Sequence, residues 1–129
     1  MSDDDVVFDA SALLAYLLNE RGSEALLFVV QRAVIGTVNL AEVRAKLLDI
    51  GGDAPITADM VLRDIRRVEP FTEEDAMTTA DLRRTTSHAG LSLGDRACLA
   101  LALRLGAEVY TADNAWSRVS VGCQIHMVR

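Results

Sequence analysis

Four acidic residues stand at places where chemistry is done in chains of alternating strands and helices: Asp9, Glu42, Asp95 and Asp113. Asp9 closes the short apolar run Val6-Val7-Phe8. Glu42 lies near the start of the helical pattern that follows Ala33-Val34-Ile35. Asp95 opens the clearest helical run, which ends before Gly106, and Asp113 follows Val109-Tyr110-Thr111. Carboxylates without paired Cys or His are hard oxygen donors, which suit Mg2+ or Mn2+ better than zinc. His88, before a glycine break, and His126, in the last apolar run, are far apart in sequence; they read as a loop residue and a strand-surface residue rather than ligands.

The elements that would position these acids follow from periodicity. Strands are expected at Val6–Phe8, Ala33–Ile35, Val68–Phe71, Val109–Thr111 and, more weakly, Gln124–Val128. Pro70 puts the third at a sheet edge or ends it early. Helices are expected over Ala12–Asn19, Ser23–Gln31, from Thr37 to the stop at Gly51-Gly52, over Ala58–Arg66, from Thr72-Glu73-Glu74-Asp75 to Ser87, and from Asp95 to Leu105. Leu40, Val43, Leu47 and Leu48 define the apolar face of the third of these. Alternation of strand and helix gives an α/β domain: a parallel sheet of about five strands flanked by helices, with right-handed crossovers. Ligands of such folds bind outside the carboxyl ends of the strands. All four acids fall at that edge.

Each acid also has a plainer reading. Glu42 follows Asn39, and Asp95 follows Ser92, by the three residues of a capping box. Asp113 fits a turn. Asp9 is harder to dismiss, because Asp is depleted in strands. Thr72-Glu73-Glu74-Asp75 starts a helix at the same edge and is read as a cap only. Asp3-Asp4-Asp5 precedes the first strand, at the opposite edge, and residues 1–5 read as a solvated acidic tail on a single domain over 1–129. Arg96 either contacts phosphate or is a solvent-facing helix charge. Trp116 either stacks on a base or packs over the end of the sheet. If the four carboxylates converge, their mutual repulsion should raise the pKa values of the cluster.

Composition narrows the class. The chain has 129 residues, 50% of them hydrophobic, enough for one domain with its own core. The net charge of −6 argues against a sequence-independent nucleic-acid coat. All basic residues but Lys46 are arginine, which grips phosphate in a bidentate fork but also follows genome base composition. Cys98 sits in an apolar helical run, and Cys123 is not in a CxxC pair. Both are expected to be reduced, in a cytoplasmic protein with no signal peptide and no membrane span.

Four segments carry a family resemblance. Val-Phe-Asp9-Ala-Ser11-Ala-Leu-Leu-Ala resembles the opening of PIN-domain toxins of the VapC type, and Thr37-Val-Asn-Leu-Ala-Glu42-Val resembles their second motif. Leu91-Ser-Leu-Gly-Asp95-Arg-Ala-Cys-Leu-Ala-Leu-Ala resembles the third and most specific, and Thr111-Ala-Asp113-Asn-Ala-Trp116 the fourth. The resemblance runs from Val6 to the end, with the middle loosely matched. It implies a PIN-like domain whose acidic site is Asp9, Glu42, Asp95 and Asp113, with Ser11 and Thr111 as supporting hydroxyls. It implies an Mg2+ or Mn2+ site, held by Asp9 and Asp95 with Asp113 assisting. It implies RNA as substrate, a small antitoxin as partner, and a homodimer. Rival readings fit less well. A receiver domain wants a lysine on the last strand, and a haloacid-dehalogenase-like phosphatase wants Asp-x-Asp where this chain has Asp9-Ala-Ser11. A binding module that had lost its chemistry would lack acids at the site. A housekeeping PIN nuclease or flap-type DNA nuclease is the nearest alternative, and the short chain favours the toxin.

Overall fold

The computed structural model describes residues 4–129. Five parallel strands form one sheet: β1 (Val6–Phe8), β2 (Ala33–Gly36), β3 (Arg67–Glu69), β4 (Glu108–Thr111) and β5 (Ile125–Met127), in the order β3-β2-β1-β4-β5. β1 is central, pairing Val7 with Val34 on one side and with Val109 on the other. Its three residues are wholly buried. Side chains alternate across a strand, so Val7, Val34 and Val109 enter one core layer while Val6, Phe8 and Ile35 enter the other. A parallel sheet needs helices on both faces. Helix α6 (Leu93–Leu105) covers the first layer. Helices α1 (Ala10–Leu17), α2 (Thr37–Ile50) and α3 (Ala54–Val61) cover the second.

Local chemistry accounts for the helix bounds. The Ser92 hydroxyl accepts the Asp95 N–H at 3.1 Å, and Ser92 N–H donates back to Asp95 Oδ2 at 2.9 Å. Gly106, at φ 62°, closes the other end of α6 in the left-handed conformation that glycine adopts without strain. Pro55 sits in the first turn of α3, where its missing N–H costs nothing. That helix therefore begins and ends several residues before the expected 58–66.

Other expectations are also corrected. The segment 23–31 is not an α-helix but two 3-10 turns, Ser23–Phe28 and Val30–Arg32. No side chain caps its start at Gly22. Helix α4 (Glu73–Asp81) has the expected cap, a reciprocal pair between Thr72 and Asp75. It stops at Leu82 rather than Ser87, and a short α5 (Arg83–Thr86) follows. Thr86 and Thr85 hydroxyls both donate to the Leu82 carbonyl, at 2.8 and 3.3 Å, and such side-chain bonds bend and interrupt helices. On α2, Val43 and Leu47 are buried, but Leu48 is 70% exposed and lies off the packed face. β3 ends before Pro70 and is an edge strand, as that proline requires.

Asp5 is not part of a solvated tail. It is buried and paired with Arg66 at 2.8 Å and Arg67 at 2.8 Å. Asp4, more exposed, pairs with Arg66 at 2.7 Å. The arginines at the start of β3 thus fasten the entry to β1; Asp3 lies outside the described residues.

Candidate active site

Asp9 leaves the carboxyl end of β1 and caps α1. Its Oδ1 accepts the Ala12 N–H at 2.7 Å. Its Oδ2 accepts the Thr111 hydroxyl at 2.6 Å, from the end of the adjacent strand β4. The Ser11 hydroxyl reaches both oxygens, at 2.8 and 2.9 Å. Ser11 Oγ in turn accepts the Ala112 N–H at 2.8 Å, which stitches α1 to the loop after β4. The two hydroxyls therefore hold the carboxylate in one orientation. Asp9 is only 3% exposed. Burial raises its pKa to about 6, against the hydrogen bonds from Thr111, Ala12 and Ser11; the nearby charge of Asp95 raises it further. The expected shift is present at Asp9, but desolvation rather than crowding of like charges is its main cause.

Glu42 lies in the second turn of α2, whose cap is Gly36, so the capping-box reading of Asn39 and Glu42 does not hold. The Asn39 side chain instead donates to Glu42 Oε1 at 2.8 Å and to the Gly94 carbonyl at 3.0 Å. Glu42 packs directly on the bare Cα of Gly94, where a Cβ would overlap both carboxylate oxygens. This brings Glu42 to the first turn of α6, which carries Asp95. Asp95 does form a capping box with Ser92, which engages its Oδ2. Beneath the edge, the Cys98 thiol is buried; desolvation raises its pKa well above the ordinary value, and Asp9, Asp95 and Glu42 add to the shift.

Asp113 stands farther out. It is exposed, and its Oδ1 accepts the Ala115 N–H at 3.0 Å, capping the 3-10 turn Asn114–Arg118. One hydroxyl links it to Asp9: Thr111 Oγ1 accepts the Asp113 N–H at 3.0 Å while donating to Asp9. Arg96 is not solvent-facing. It is buried between α4 and α6, and its guanidinium donates to the Thr79 carbonyl at 2.9 Å. One turn of α6 points Asp95 out of the core and its neighbour Arg96 into it. Trp116 is fully buried against the α6 layer and packs over the sheet. His88 meets the Arg118 carbonyl at 2.9 Å, and His126 stacks on Tyr110, so both lie apart from the acids.

Asn39 and Gly94 are the residues that sequence reasoning missed. An asparagine inside a helix and a glycine in the first turn of another are both locally unfavourable. Those were the available signals.

The donor set fits a hard cation. It is oxygen-only, and among the described residues no basic side chain pairs with Asp9, Glu42, Asp95 or Asp113, whereas Asp4, Asp5, Asp59 and Asp75 all have arginine partners. As the described side chains stand, no three of them close into a ligand shell.

A family model described as PIN domain matches residues 6–122. A search of curated protein sequences gave no significant match. Solved structures with the same fold include a toxin-antitoxin complex from Klebsiella pneumoniae, with TM-score 0.77 and 18% identity over 97% of this chain and 98% of that one. VapBC2 from Rickettsia felis, bound to a DNA fragment from its promoter, gives TM-score 0.76 and 12% identity, over 94% and 96% of the two chains. VapC20 from Mycobacterium tuberculosis, a sarcin-ricin loop cleaving toxin, gives TM-score 0.71 and 16% identity, over 93% and 99%. With the match spanning nearly the whole chain and the acids at the carboxyl edge of the sheet, the chain belongs to the PIN domain family.

Proposed function

We propose that this chain is an endoribonuclease dependent on Mg2+ or Mn2+, acting as the toxin of a toxin–antitoxin pair. The observation that carries the reading is Asp9: a buried carboxylate at the end of the central strand, fixed by two hydroxyls and without a cationic partner among the described residues. Asp9 and Asp95 would hold the ion, with Asp113 assisting directly or through water. Bound there, the ion would supply an activated water and neutralise charge on the phosphate.

The chain's own groups have separate tasks. Thr111 and Ser11 keep the Asp9 oxygens in place. Glu42 has Oε1 engaged by Asn39, which leaves Oε2 to share the ion or to orient the attacking water. Water as nucleophile, with the 3′-oxygen as leaving group, gives 5′-phosphate and 3′-hydroxyl ends rather than a 2′,3′-cyclic phosphate. With a pKa of about 6, Asp9 is ionised at neutral pH and is neutral below that range.

Partners follow from the surface. Leu27, Phe28, Ile56 and Met60 are exposed, Phe28 by 86%, on the 3-10 turn after α1 and on α3. An antitoxin with an apolar segment and a basic side chain would cover these residues and reach the acidic edge. Phe71, Met77 and Leu93 form a second exposed apolar set, near α4 and the start of α6, available to another copy in a homodimer. The neighbouring folds described as toxin–antitoxin complexes support the pairing. Cys98 and Cys123 are both free thiols. No helix of the described residues is long and apolar enough to cross a membrane. The test is cleavage of structured RNA by antitoxin-free protein with Mn2+, against EDTA and against DNA of the same sequence. Equal cleavage in EDTA, or of DNA alone, refutes the reading.

A further inference from the structure

The Asn39 amide serves two acceptors at once. One hydrogen goes to Glu42 Oε1 at 2.8 Å, within α2; the other crosses to the Gly94 carbonyl at 3.0 Å, in the first turn of α6. Asn39 is 2% exposed, so water has little access to replace it. Gly94 supplies the complementary half of the contact, because any side chain there would displace the Glu42 carboxylate. Glu42 shares this edge with Asp9 and Asp95, and like charges would drive an untethered carboxylate toward solvent. Asparagine within a helix is locally unfavourable, whereas its bridge here joins residues 39 and 94 across two helices.

We propose that Asn39 is a positioning residue, which together with the bare Cα of Gly94 holds the Glu42 carboxylate against the turn that carries Asp95. The proposal rests on Glu42 belonging to the acidic site. Serine or threonine at this position could donate to one acceptor but not to both. Partners that orient the acidic groups of metal sites typically change affinity or activity by about 10–100-fold when removed.

Calorimetry with Mn2+ alone as the probe tests this on the metal-free wild type, N39A, N39S, E42Q and the double variant N39A/E42Q. Melting curves establish that each is folded at the assay temperature, and N39S stands in if N39A is not. The expected result is an Mn2+ affinity about tenfold weaker in N39A, between the two in N39S, and no weaker in N39A/E42Q than in E42Q. RNA cleavage by the same set should fall in kcat with KM within about twofold. Wild-type Mn2+ affinity in N39A overturns the proposal. So does a double variant weaker than E42Q by the full N39A factor, since Asn39 would then act independently of Glu42. If E42Q itself binds Mn2+ and cleaves as wild type does, the proposal falls because Glu42 is not part of the site, and the assignment of Glu42 is the step at fault.

Discussion

Replacing Asp9 by Asn separates function from folding at the central acid. Raising a carboxyl pKa from 3.8 to about 6 corresponds to about 3 kcal/mol of folding free energy lost when the group ionises in the native state. Asn removes that cost and remains a good helix cap for Ala12. It also removes one acceptor. The new NH2 must donate to Thr111, whose hydroxyl has to turn, at a cost of about 1 kcal/mol. The sign with pH is definite. The folded pKa lies above the unfolded one, so protonation favours the native wild type at low pH. That advantage is lost as pH rises from about 4 through about 6. Asp9→Asn carries no such dependence. At pH 4.5 the variant should match or fall slightly below wild type, and at pH 7 it should be more stable by about 1–2 kcal/mol, roughly 3–8 °C in Tm. Metal-free melts of both proteins across pH 4.5–8 measure it. Mn2+ should then raise the wild-type Tm but not that of the variant, which should not cleave. A variant less stable by the same amount at every pH would refute the argument and leave Asp9 as a helix cap.

The remaining expectations are simpler. EDTA should stop cleavage and Mn2+ restore it, while Asp95→Asn should lose both activity and the Mn2+-induced gain in Tm. Asp5→Asn removes the charge that Arg67 and Arg66 hold below the usual carboxylate range. It should lower stability at pH 7 by about 1–3 kcal/mol. Because the folded pKa is depressed, this difference should begin to shrink as pH falls below about 4 and be lost only once pH passes below the lowered folded pKa, as denaturant titrations would show. Arg96→Ala should strand the buried Thr79 carbonyl and lower stability by about 1–3 kcal/mol, with the KM for RNA within twofold of wild type. A selective rise in KM would return Arg96 to the substrate. Light scattering should find a homodimer at micromolar concentration; a monomer alone would remove that expectation.

The parallel α/β class and the strand positions were legible from sequence because they rest on apolar periodicity, whereas the strand order was not. β1, β2 and β4 are short apolar runs, and each is followed by an acid at the edge where a parallel fold gathers its loops. Asp9, Glu42, Asp95 and Asp113 could therefore be placed there without coordinates. Long-range pairing could not be read in that way. Asp5 looks like the end of an acidic tail until β3 brings Arg66 and Arg67 beside it. Arg96 looks like a surface charge because α6 buries far more than one stripe. Asn39 looks like a cap to Glu42, and only the crossing of α2 over α6 shows that its second hydrogen belongs to Gly94. The break at Leu82 depends on hydroxyls competing for a single carbonyl, a contest that helix periodicity does not register.

Trp116 gives the protein an optical reporter. It is the only tryptophan, and it is fully buried in the layer formed by α6. Among the described residues its indole N–H has no hydrogen-bond partner. The excited state of such a ring has no water dipoles to relax around it, so native emission should lie well to the blue of the free amino acid and be shielded from soluble quenchers. Unfolding should shift the emission to the red. Because Asp113 caps the 3-10 turn that contains Trp116, slight changes in emission on adding Mn2+ would report events at the acidic edge without any label.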